Sequence, residues 1–259
     1  MAVTFTPDLA INYQLLFNTC VINPAKTAEI DRQIDTMVAN KAIYDSISTD
    51  TNVPWYFIAI IHCLECDLNF HTHLHNGDPL TARTVQVPKG HPVNGNPPFT
   101  FKESAVDALT IEGFTTWTDW TTPGMLYLFE KYNGFGYRSR GINSPYLWSY
   151  SQHYTKGKFV ADGRFDPDAV SQQEGAAVIL RRINERQLLL GLSDIITQIR
   201  TLGETVNYDP AHDIEAARTL QNLLNSTGLH LKVDGKAGQN TSDAYKHISG
   251  KFLNGDPRG

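Results

Sequence analysis

Residues 54–65 read PWYFIAIIHCLE, a run of apolar side chains that ends on Glu65 and is relieved only by one histidine. Wound into a helix, the run is apolar on nearly every face, so it has no side suited to water and must be enclosed by other elements. It falls well short of the ~18 apolar residues that mark a bilayer-spanning helix, so it is expected at the centre of a globular core. Pro54 suits a first helical turn, and Thr51 or Asn52 is the expected cap. Glu65 then lies near the C-terminal end of a buried helix. Burial there disfavours the ionised carboxylate and raises its pKa, as a general acid requires.

The flanking sequence is also mainly helical. Ile30, Ile34, Met37 and Val38 recur at helical spacing, and helical patterns return over residues 101–114, 122–133 and 168–187. Between them lie two turn-rich segments. Residues 69–98 carry Asn76-Gly77 and an alternating TARTVQV, read as a small β-hairpin or irregular sheet. Residues 133–163 are dense in Tyr, Trp and Gly. A polar link at residues 203–213 precedes a short C-terminal unit. The expectation is a mainly α (α+β) chain with domains 1–203 and 204–259.

With 41% hydrophobic and 19% charged residues, the 259-residue chain can bury a real core. Its net charge of -5 does not steer it toward nucleic acid or an anionic membrane, and no membrane insertion is expected. Three cysteines are an odd number, which argues against a disulfide framework. The first residues lack a Sec-type signal, so the chain is expected to be made in a reducing cytoplasm. Oligomeric state is not legible.

The segment IHCLECDLNFHTHLHNGDPLTART, residues 61–84, offers two chemistries. Cys63, Cys66, His71, His73 and His75 are residue types that ligate zinc, and the three histidines would share one face of a strand. Against that, Cys63 and Cys66 fall on the buried helical pattern, where cysteines serve as small core residues. The carboxylates give the alternative. Glycoside cleavage needs a proton donor and a second carboxylate that activates water or stabilises positive charge at the sugar. Glu65 and Asp78 meet that need. No metal and no cofactor are expected. Glu130 is a rival acid.

The order Glu65, Asp78, Thr84, with the glutamate ending a helix and a hairpin following, resembles the lysozyme superfamily and its phage-type members, a resemblance that implies Thr84 helps hold the attacking water. Tyr132, Asn133, Gly134, Phe135 and Gly136 are similar to the Tyr-Asn-x-Gly element of lytic transglycosylases and goose-type lysozymes, which borders the sugar cleft. Tyr137, Tyr146 and Trp148 lie nearby, with aromatic faces suited to pyranose rings. At the C-terminus, Leu220, Gln221, Leu224, Asp234, Gly235, Gly238, Thr241 and Ala244 resemble the peptidoglycan-binding type 1 module. In it Gly228 would end one helix and Thr241 cap the next.

Together the resemblances imply a lysozyme-like helical domain joined to a three-helix wall-binding module. The implied activity is that of an N-acetylmuramidase acting on peptidoglycan, reaching the wall by holin-type release or an injection machine. The alternatives are a lytic transglycosylase using the same glutamate, a zinc-dependent wall amidase or peptidase, and a non-catalytic wall-binding protein.

Overall fold

The computed structural model describes residues 3–161, 163–186, 192–225, 227, 229 and 231–259. The chain forms two compact units, Met1–Arg186 and Gln187–Gly259. In the first, helices α1 (Pro7–Thr19), α2 (Thr27–Ala39), α3 (Lys41–Thr51) and α4 (Trp55–Cys66) precede a long irregular segment. Helices α5 (Phe101–Ile111), α6 (Thr122–Asn133) and α7 (Pro145–Trp148) follow, then strands β1 (Lys158–Ala161) and β2 (Arg164–Asp166), and helix α8 (Ala176–Glu185).

Helix α4 is the hub. Phe57, Ile58, Ala59, Ile60 and Ile61 are fully buried, enclosed by α2, α3 and α8. The Phe57 ring stacks on Phe129 of α6 with centroids 4.3 Å apart. The phenylalanine and isoleucine side chains each contribute roughly 1.5–3 kcal/mol on burial, so the all-round apolar run dictates the bundle around it. Ile30, Ile34 and Met37 of α2 are fully buried as their spacing predicts. His62 is drawn into the same core, its Nδ1 2.9 Å from the Tyr44 hydroxyl, and burial pushes its pKa down to about 4.

The expected cap of α4 is corrected. Thr51 ends α3, Asn52 is that helix's left-handed C-cap, and Pro54 precedes α4 with no side-chain cap. Elsewhere side-chain capping is in place: Thr100 and Glu103 form a reciprocal capping box on α5, and Thr121 caps α6.

The hairpin expected within residues 69–98 is also corrected. That segment is irregular, with one isolated bridge between Thr72 and Pro79. The reason is chemical. The amides of Val85 and Gln86, which a partner strand would need, both donate to Asp78 Oδ2, at 2.8 and 3.0 Å. Several prolines in the segment supply no amide at all. The antiparallel hairpin lies instead at β1 and β2, where Phe159 pairs with Phe165.

The second unit contains α9 (Leu192–Gly203), α10 (Glu215–Asn225) and α11 (Gln239–Ser249). Its core joins Ile199 and Val206 to Leu220, Leu224, Ala237 and Tyr245. Ile199 lies on α9, and the Tyr245 hydroxyl donates to the Arg200 carbonyl at 3.3 Å. The division therefore falls between residues 186 and 187, ahead of the expected 203/204. Ile199 and Leu202 of α9 pack into this core beside α10 and α11. Gly228, expected to end a helix here, lies outside the described residues.

Candidate active site

Helix α4 brings Glu65 to its last turn with a half-buried carboxylate. Two successive left-handed residues, Asp67 and Leu68, then turn the chain sharply away. The irregular segment folds back onto the helix end, so close that a Cβ on Gly77 would sit 3.5 Å from the Glu65 carbonyl oxygen. From the other side, Gln173 Nε2 donates to the Leu64 carbonyl at 2.6 Å, satisfying one of the helix's orphan acceptors.

These pieces enclose a cavity of about 500 Å³ whose walls include Glu65, Cys63, Thr72, Gln33, Gln173 and Glu174. The Tyr146 hydroxyl donates to Glu65 Oε1 at 2.8 Å. Burial raises the Glu65 pKa, and the Tyr146 hydrogen bond offsets only part of that rise. Burial and the nearby carboxylate push the Tyr146 phenol well up, so it remains a donor. Oε1 is taken by the phenol, which leaves Oε2 to carry the acidic proton.

A second cavity, of about 470 Å³, is lined by Asn133, Gly134, Tyr137, Tyr146, Phe159 and Gln173. Gln173 lines both cavities, so the two adjoin. The turn-rich aromatic segment thus borders a cleft beside Glu65. The expected aromatics divide, however. Tyr132 directs its hydroxyl to the Leu74 carbonyl at 2.9 Å, holding the irregular segment. Tyr137 accepts the Phe159 amide at 3.1 Å, and so positions the hairpin. Trp148 is fully buried against His153 and lines neither of these two cavities.

Asp78 and Thr84 are not among the residues lining the Glu65 cavity. The Asp78 carboxylate is occupied by backbone amides, with Gln86 the main cause of a pKa held below the ordinary carboxylate value. The Thr84 hydroxyl donates to the Pro88 carbonyl and accepts the His91 amide at 2.9 Å. Both residues organise the segment that Gly77 docks. Glu130, the rival acid, is buried with Arg138 at 2.6 Å and the Tyr13 hydroxyl at 2.5 Å, an internal ion pair on α6. The carboxylates that do share the cavity with Glu65 include Glu174 and Glu29. Sequence reasoning missed Glu174 because it stands 109 positions from Glu65 and just ahead of α8, where no local pattern points back to α4.

The five-ligand metal set is dispersed. Cys63 Sγ donates to Gln33 Oε1, and to Glu174 Oε1 at 3.2 Å, and burial pushes its thiol far up. Cys66 Sγ donates to the His73 carbonyl at 3.2 Å, and burial raises it to about 11. His71 is exposed, and the His73 ring is spent on Ser104 and the Ala82 carbonyl. His75 instead meets His91 and Asp107, two residues the sequence did not single out.

In the second unit, Gln221 organises the expected turn. Its Oε1 accepts the amides of Asp234 and Gly235 at 3.0 and 2.9 Å, and its Nε2 donates to Asp234, the Lys236 carbonyl and Thr241, each at 3.1 Å. Gly235 adopts a φ of 73° that suits glycine. Thr241 lies inside the first turn of α11, bonded to Gln221, while Gly238 occupies the cap position. Leu220 is wholly in the core. A cavity of about 250 Å³ is lined by Gln221, Asp234, Lys236, Gly238 and Thr241.

Among the described residues, no helix is long and apolar enough to cross a membrane. Compared with known proteins, the chain matches no family model, no curated protein and no solved structure.

Proposed function

We propose that the N-terminal unit cleaves the glycosidic bond between N-acetylmuramic acid and N-acetylglucosamine, with Glu65 as general acid. One observation carries the reading: a desolvated glutamate at the end of a buried helix, with one oxygen held by a phenol and the other free, faces a cleft. Burial favours the protonated form that a general acid needs. When the proton passes to the leaving oxygen, the Tyr146 hydroxyl stabilises the carboxylate that forms. Asn133, Gly134 and the Tyr146 ring border the adjoining cavity, where neighbouring sugars would lie. The C-terminal unit would tether the enzyme to the same polymer and raise its effective concentration there.

The engagement of Asp78 and Thr84 within their own segment supports a second reading, the lytic transglycosylase. That chemistry uses one acid, needs no second carboxylate and leaves anhydro-muramic ends.

Mass spectrometry of purified peptidoglycan digested by wild type and Glu65→Gln tests both. Glu65→Gln is expected to lower the rate by about 10²–10⁴. Reducing muramic ends identify a hydrolase, and anhydro ends a transglycosylase. Undiminished lysis by Glu65→Gln would sink both readings in favour of a metal-dependent enzyme, and no digestion by wild type would leave a non-catalytic protein.

A further inference from the structure

His73, His75 and Ser104 form a chain of hydrogen bonds in which each direction is determined by its neighbour. The Ala82 carbonyl can only accept, so His73 Nε2, 2.8 Å away, carries a proton. With the ring proton on Nε2, Nδ1 accepts the Ser104 hydroxyl at 2.9 Å. The Ser104 oxygen accepts the Leu74 amide at 3.1 Å and has one lone pair left, which takes His75 Nδ1–H at 3.4 Å. A neutral His75 is thereby fixed with a bare Nε2. That nitrogen lies 3.0 Å from Asp107 Oδ1, another acceptor.

A cation placed between these two acceptor atoms would satisfy both. A third donor atom converges on the same place: His91 Nδ1 lies 2.7 Å from Asp107 Oδ1. The three atoms all fall within 4.8 Å of one another. Zinc bonds to nitrogen and carboxylate oxygen are about 2.0–2.2 Å, which places tetrahedral ligand atoms roughly 3.3 Å apart. Small rotations of two partly exposed side chains bring the set to that spacing.

We infer that His75, His91 and Asp107 form a binding site for a divalent transition cation of the zinc class, which fastens the 67–100 segment onto α5. Two imidazoles and a carboxylate are the donor types such an ion prefers. Ser104 supplies the second-sphere bond that orients His75, and the Val93 amide, 3.3 Å from Asp107 Oδ2, helps orient the carboxylate. The His75 side chain is fully buried, while those of His91 and Asp107 are 18% and 12% exposed, so an ion and a completing water enter from the His91 side. Residues 75 to 91 become a closed loop containing Asp78 and Thr84, and the loop carries Gly77 to the end of α4. The cation's role is structural. It stands apart from the sugar chemistry proposed for Glu65.

Calorimetric titration of the full-length, untagged, chelator-treated protein with ZnCl₂ tests the site. One zinc per chain is expected, with a rise in melting temperature that MgCl₂ does not give. His91→Ala, at a partly exposed position, should weaken uptake by at least about tenfold and remove that rise. His212→Ala, an exposed histidine paired with Asp209 in the other unit, should change neither. Co²⁺ should give the visible bands of a low-coordinate nitrogen and oxygen site in wild type and not in His91→Ala. No stoichiometric uptake by wild type would overturn the inference. So would uptake that His91→Ala leaves unchanged, and both readouts are independent of wall-degrading activity.

Discussion

At the scale of single residues, Tyr146 sets the working range of Glu65. Burial raises the glutamate's pKa and the phenol pulls it part of the way back. Tyr146→Phe removes only the pull, so the pKa rises further and the acid stays protonated to higher pH. The alkaline limb of the kcat/KM profile on soluble muropeptide oligomers should therefore move upward. The plateau should fall by about 10- to 150-fold, since the new carboxylate loses a charged hydrogen bond worth about 1.5–3 kcal/mol. A limb that stays put or moves to lower pH would show that Glu65 is not the titrating acid. Glu65 was legible because a carboxylate closing an all-apolar helix is a local pattern. Glu174 and Gln173 were not, because their place in the cavity comes from the docking of α8 on α4.

At the scale of elements, the 67–100 segment shows why pattern reading found a hairpin where none formed. TARTVQV alternates as a strand should, yet a side chain seven residues upstream took the amides that a ladder would have used. Alternation reports which faces are apolar and is silent about where backbone donors go. Asp78 is accordingly a structural keystone. Asp78→Ala strands two amides and should destabilise the N-terminal unit by about 1–3 kcal/mol in urea titration, whereas Asp78→Asn keeps an acceptor and should cost less. Because the folded-state pKa of Asp78 is depressed, its contribution is complete above the ordinary carboxylate range and is lost as pH falls through the depressed value. The wild-type advantage over Asp78→Ala should therefore shrink in acid. Equal stability of wild type and Asp78→Ala at neutral pH would show that the segment is held by other bonds.

At the scale of the whole molecule, the sequence announced two units but placed their boundary one helix too late. The polar run at residues 203–213 looks like a linker, and composition marks linkers well. It cannot show that Ile199 and Leu202 of α9, ahead of that run, pack with the two helices beyond it. A fragment of residues 187–259 should unfold cooperatively by circular dichroism, and one of residues 204–259, lacking Ile199 and the Arg200 carbonyl that Tyr245 reaches, should not. Cooperative melting of the shorter fragment would return the boundary to residue 203.

The buried thiols have a practical consequence. The chain's three cysteines all lie in the N-terminal unit, buried, with pKa values raised chiefly by burial. Alkylation requires a thiolate, so the native protein withholds its reactive form from reagents such as iodoacetamide until that unit opens. Mass added by alkylation then serves as a clock for the opening of one half of the chain, on which the other half, with no cysteine, writes nothing.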